Sequence, residues 1–293
     1  MSIFTGSCVA AVTPFKEDKS VDYKAYGRLL EYQLDNNTDA IVVNGTTGES
    51  PTVTEDEQAK LIEFTVGVVD GKIPVIAGCG SNNTAQAVKL TKHAELCGAD
   101  AIMQVTPYYN KATQQGLISH FTDIASSTKL PVMLYNVPAR TSCNMTAKTV
   151  YELSKVPNIV CIKEASGDFT QIAEIAKLCG PNFDIYSGND DQVIPIMSLG
   201  GKGVVSVAAN IAPKAVHDMC HAYLTGDVKK GLEMQLQLLE LCKACFIELS
   251  PAPVKAALEM MGLCGGTLRS PMVSVSDESL EFIKDTLEAY KLM

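Results

Sequence analysis

The chain has 293 residues, 46% hydrophobic and 19% charged, enough for one large domain with a substantial core, or one domain plus a small appendage. A formal net charge of −9 and a pI near 5.0 argue against nucleic acid as the main partner, because phosphate binding needs a basic face; small anionic substrates stay open, since a pocket can be locally positive. No stretch approaches the ~18 consecutive apolar residues of a membrane span.

The first residues, 1–6, have neither the charged start nor the apolar core of a signal peptide. Of the ten cysteines, most lie in apolar or small-residue segments, where a free thiol packs as a small hydrophobe. A reducing cytoplasm is the expected location, with no membrane partner.

In chain order, short apolar runs recur at residues 8–12, 40–43, 73–77, 101–105, 130–135, 159–162, 183–186 and 204–207. Most intervals hold a helical pattern. Over 54–69, Thr54 and Glu57 are spaced as a capping box, and Leu61, Ile62, Thr65, Val66 and Val69 form an apolar stripe. Over 84–97, Ala87, Val88, Leu90, Thr91 and Ala94 recur at helical spacing. Strands alternating with helices at this interval predict βα units around a parallel sheet. Eight units fit a closed (β/α)₈ TIM barrel, typically about 250 residues long. An open doubly wound sheet is the alternative, but there is no strand–GxGxxG–helix fingerprint.

After Gly226 the pattern turns helical without strands, over 227–248, 253–262 and 276–292. The expected division is a catalytic barrel at 1–225 and a C-terminal helical domain at 226–293.

In a barrel of this kind catalytic groups gather at the C-terminal ends of the strands. Lys163 ends the sixth run and faces desolvation, which disfavours a charged ammonium; a neutral amine in a dry pocket can attack a carbonyl and form a Schiff base. A lone lysine there could equally sit at a strand edge with its head in water. The fifth run, however, ends in Tyr135 followed by Arg140, bringing a phenol and a carboxylate-binding fork to a neighbouring strand end. After the second run, Gly45-Thr46-Thr47-Gly48-Glu49-Ser50 places two hydroxyls between glycines, reading either as a carboxylate-binding loop or as a turn with capping hydroxyls. Thr106-Pro107-Tyr108-Tyr109-Asn110 follows the fourth run. The cluster Gly200-Gly201-Lys202-Gly203 lacks P-loop spacing and precedes its strand, which points to close backbone packing. His217 with His221, and Cys242 with Cys245, stand on predicted helices without a further ligand set, so no metal site is predicted.

These segments, with Ile162-Lys163-Glu164 and Ser187-Gly188-Asn189-Asp190, resemble the dihydrodipicolinate synthase family of class I pyruvate aldolases, a superfamily that also holds N-acetylneuraminate lyase. The resemblance runs from the first strand through Pro253-Val254-Lys255 and Leu268-Arg269. It implies that Lys163 condenses with pyruvate, that Tyr135 shuttles protons coupled through Thr46 to Tyr109 of a neighbouring subunit, and that Thr47 holds the pyruvate carboxylate. It further implies that Arg140 holds the carboxylate of L-aspartate 4-semialdehyde, and that Gly188 and Val205 contribute backbone carbonyls. No cofactor is implied. A homo-oligomer, a dimer of dimers, is.

Two other activities are compatible with the same residues: a sugar-acid lyase of the superfamily, disfavoured by the double threonine and Arg140, and a non-catalytic ketoacid-binding relative, which expects a broken triad. Family members inhibited by lysine carry histidines where this chain has Glu55 and Gln58, a small residue at Pro51, and a carboxylate at Gln86; Asn82 and Tyr108 are kept. The resemblance therefore implies weak or absent feedback inhibition.

Overall fold

The computed structural model describes residues 2–293. Eight strands, β1 (Gly6–Ala10), β2 (Ala40–Val43), β3 (Val75–Gly78), β4 (Ala101–Val105), β5 (Val132–Asn136), β6 (Ile159–Glu164), β7 (Asp184–Ser187) and β8 (Gly203–Ser206), close into an all-parallel barrel in sequence order. The expected TIM barrel is the observed one. Every expected strand is present; β2 and β4 have the expected ends, and the ends of the others are displaced by at most two residues. β3 starts at Val75 because Pro74 has no N–H to give to the ladder. β1 starts at Gly6, which pairs with Gly203 through backbone alone and carries no apolar signal.

The core has two layers. Inside the barrel, Ala10, Val42, Ile76, Met103, Met133 and Val205 fill the lumen. Phe4 stacks on Tyr186 at 4.2 Å between ring centroids, and the Tyr186 hydroxyl donates to Phe4 O, plugging the N-terminal end. The outer layer, between strands and helices, takes residues such as Leu61, Ile62 and Ile124. Thr54 and Glu57 do form the expected capping box on the helix Glu55–Val69.

The last barrel helix, Pro213–Leu224, is followed by a turn at Gly226, and the helix Val228–Gln237 packs back onto it. The expected single helix over 227–248 is two, Val228–Gln237 and Leu239–Cys245. The break follows Gln235, whose side chain donates to Asp190 O and accepts from Ile194 N. Those tertiary bonds tie the helix down just before it bends. The helices Ala252–Met260 and Asp277–Ala289 complete the chain. Among the described residues, no helix is long and apolar enough to cross a membrane.

Candidate active site

In the β5–β6 register Tyr135 lies opposite Lys163. Side chains alternate between the two faces of a strand, so both project into the barrel while Asn136 and Glu164, the next pair, face outwards. The Lys163 Nζ sits 4.3 Å from the centroid of the Tyr135 ring. Lys163 is only 5% exposed, and among the described residues it forms no ion pair. An amine so placed has the face of an aromatic ring beside it.

The end of β7 leaves room for that lysine. A Cβ at Gly188 would fall 2.7 Å from the Ala165 Cβ and 3.1 Å from the Lys163 Cε, so glycine is what lets the backbone approach the reactive stem. Val205 on β8 is buried in the same lumen. Above them opens a cleft of about 540 Å³, lined by Thr46, Tyr135 and Arg140 together with Tyr108 and Met103. Thr47 is buried within the β2 loop rather than along the cleft wall. Arg140 belongs to a short helix, Pro138–Thr141, whose fixed start at Pro138 follows β5 directly. Tyr109 does not join this group: it is 91% exposed, with φ of 69°.

Three buried networks around the site had no part in the sequence reading. Glu164 accepts from Asn136 Nδ2 and from Ser166 N, and burial pushes its carboxyl above the usual range. Asp190 accepts from Ser206 Oγ at 2.5 Å and from the amides of Val207 and Ala208, tying β7 to the end of β8; burial raises its carboxyl too. Glu49 pairs with Lys255. Beside that pair, Arg269 grips Glu57 with both terminal nitrogens and holds its carboxyl down at about 2.

The remaining candidates fall away from the cleft. His217 Nδ1 lies 2.9 Å from Asp39 Oδ2 and its ring stacks on His221. Cys242 and Cys245 are buried free thiols pushed well above their ordinary range by burial. Among the described residues, no group of three or more His, Cys, Asp or Glu side chains is arranged to hold a metal ion. Of the two glycines before β8, Gly201 serves close packing, since a Cβ there would lie 2.8 Å from Ile196 O, whereas Gly200 has φ of 96° with nothing within 4 Å of a Cβ.

The family model described as the Dihydrodipicolinate synthetase family matches residues 3–290. The chain belongs to that family. It is 55% identical over 294 residues to the 4-hydroxy-tetrahydrodipicolinate synthase of Thermoanaerobacter sp. (strain X514), covering 100% of this chain and 99% of that one. It is 51% identical over 290 residues to the synthase of Caldicellulosiruptor bescii, covering 99% and 98%. The crystal structure of dihydrodipicolinate synthase from Thermotoga maritima superposes with a TM-score of 0.98 at 44% identity, covering 100% of both chains.

Proposed function

We propose that this protein is a lyase of the class I aldolase type that condenses pyruvate with L-aspartate 4-semialdehyde to 4-hydroxy-tetrahydrodipicolinate, a step towards diaminopimelate and lysine. The observation that carries the site assignment is the Tyr135–Lys163 pair, buried side by side on adjacent strands, with Tyr135 lining a cleft that Arg140 also lines.

The Lys163 nitrogen lone pair adds to the pyruvate ketone, and loss of water gives an imine. The imine withdraws electrons, so a methyl proton leaves and an enamine forms. Tyr135, whose ring lies against the amine, is placed to carry these protons, with Thr46 beside it on the cleft wall. The enamine carbon attacks the semialdehyde carbonyl. The amino group of the new chain then adds to the imine carbon, closing the ring and freeing Lys163. Thr47 and the amides of its loop hold the pyruvate carboxylate, while the carbonyls of Gly188 and Val205 face the bound ketoacid.

Arg140 offers a planar fork to the semialdehyde carboxylate. Arg140→Ala is expected to lower kcat/KM for the semialdehyde by on the order of 100-fold, the effect of leaving one carboxylate unpaired. Half-saturation by pyruvate should stay at the wild-type value. Steady-state kinetics with each substrate varied in turn checks both statements. The reaction itself is tested by supplying pyruvate with the semialdehyde or with sugar-derived aldehydes. Turnover only with the sugar aldehydes would reassign the chain to the lyase branch of the superfamily.

The exposed Tyr109 phenol fits a role in a second subunit's cleft, so the working unit is at least a dimer, and two such dimers form a dimer of dimers. Residues 1–225 form the catalytic barrel and 226–293 a helical segment that braces it, in a cytoplasmic enzyme. Feedback by lysine is weak or absent in this reading. Gln86 Nε2 and Lys89 Nζ both bond Glu55, and the Gln58 amide is committed to Ser50 O and Val53 O. Turnover is therefore expected to be unchanged by lysine at millimolar concentration, and strong inhibition in the same assay would contradict this.

A further inference from the structure

The loop after β2 is held from the far end of the chain. Glu49 closes it in the left-handed region, with φ of 54°, and the Glu49 amide donates to Thr46 O at 3.0 Å. Thr46 therefore moves with Glu49. Both carboxylate oxygens of Glu49 are occupied: Oε1 accepts from Lys255 Nζ at 2.7 Å and Oε2 from the Arg269 amide at 3.0 Å. The same Lys255 Nζ donates to Thr13 O at 3.0 Å, and Thr13 Oγ1 donates to Gly48 O at 2.7 Å. One ammonium thus reaches the loop by two routes, directly through the Glu49 carboxylate and indirectly through Thr13, whose hydroxyl holds the Gly48 carbonyl.

Lys255 lies on the helix Ala252–Met260, is 0% exposed, and sits 4.3 Å over the Phe15 ring. A buried ion pair contributes little net stability, because desolvation of both charges offsets most of their attraction. Apolar residues of the same volume would fill the space as well. What an ion pair supplies that they cannot is direction, and here the direction is imposed on the loop that carries Thr46 and Thr47.

We propose that Lys255, acting through Glu49 and Thr13, is a positioning residue for ketoacid binding. It sets the loop of residues 45–49 so that Thr47 and the loop amides meet the pyruvate carboxylate, and it makes the C-terminal segment part of the pyruvate site. Lys255 is absent from the cleft lining and acts only through the loop. The inference rests on the pyruvate reading given above.

The test is kinetic, on the full-length protein. Lys255→Met removes the ammonium and keeps an unbranched apolar stem; Lys255→Arg returns a donor. The pyruvate KM of Lys255→Met is expected to rise roughly 10- to 100-fold, as displaced binding groups do, while the semialdehyde KM stays at the wild-type value and Lys255→Arg recovers part of the loss. A merely structural role would lower the thermal midpoint and leave the pyruvate KM of the folded enzyme unchanged, and that result overturns the proposal. Should Lys255→Met not fold, Glu49→Gln keeps the shape of the side chain and removes the charge that Lys255 holds. A raised pyruvate KM there supports the proposal, and a wild-type KM overturns it. Wild-type enzyme that does not saturate with pyruvate would refute the pyruvate reading as well; saturation with unmoved variants refutes this inference alone.

Discussion

Replacing Lys163 with alanine is expected to lower turnover by on the order of 10⁴-fold or more while the protein stays folded. No other lysine can take over. Lys255 is the second buried lysine, but its Nζ is already bound to Glu49 and Thr13 O. Lys163→Arg should fail as completely, because a guanidinium stays protonated and forms no imine under these conditions. Folding should survive, since among the described residues Lys163 forms no ion pair whose loss would strand a buried charge. Circular dichroism alongside a turnover assay separates the two effects. A folded Lys163→Ala retaining more than about one part in a hundred of wild-type turnover would remove the covalent mechanism from the account.

Gly203→Ala is expected to be the most damaging single-methyl change to the fold, costing more than about 4 kcal/mol. Gly203 opens β8 with φ of 146° and pairs with Gly6 at the seam where the last strand meets the first. A Cβ there would fall inside the van der Waals envelope of the Gly6 carbonyl oxygen and carbon, which are backbone and cannot swing aside. Gly226→Ala supplies the comparison. Its φ is 96°, yet a Cβ would meet nothing within 4 Å, so it pays only the conformational cost of about 1–3 kcal/mol. Thermal unfolding of the two variants side by side checks the difference. Equal midpoints would mean that the β1–β8 seam is looser than a closed barrel requires.

The barrel was legible because each strand is buried on both faces and so reads as a short apolar run, while Gly6 escaped because its contribution to the seam is backbone alone. Lys163 and Tyr135 were legible for a related reason: a polar group that ends an apolar run has few places to go but a strand end. The bend after Gln235 was not, since it comes from tertiary bonds to Asp190 and Ile194 that helical periodicity does not register. The Glu49–Lys255 pair spans 206 residues, and a lysine on an amphipathic helix ordinarily reads as solvated. Glu164 is similar. It lies beyond the apolar run of 159–162, and only the fold buries its carboxyl, against Asn136 and Ser166. Tyr109 is exposed in a single chain, so what it meets depends on a second subunit.

The most direct test of the covalent account is borohydride reduction of the wild-type protein in the presence of pyruvate, followed by intact mass and peptide mapping. The account predicts one reduced pyruvate adduct per chain, on Lys163 and not on Lys255. Folded protein that yields no adduct, or an adduct on any other lysine, would contradict it.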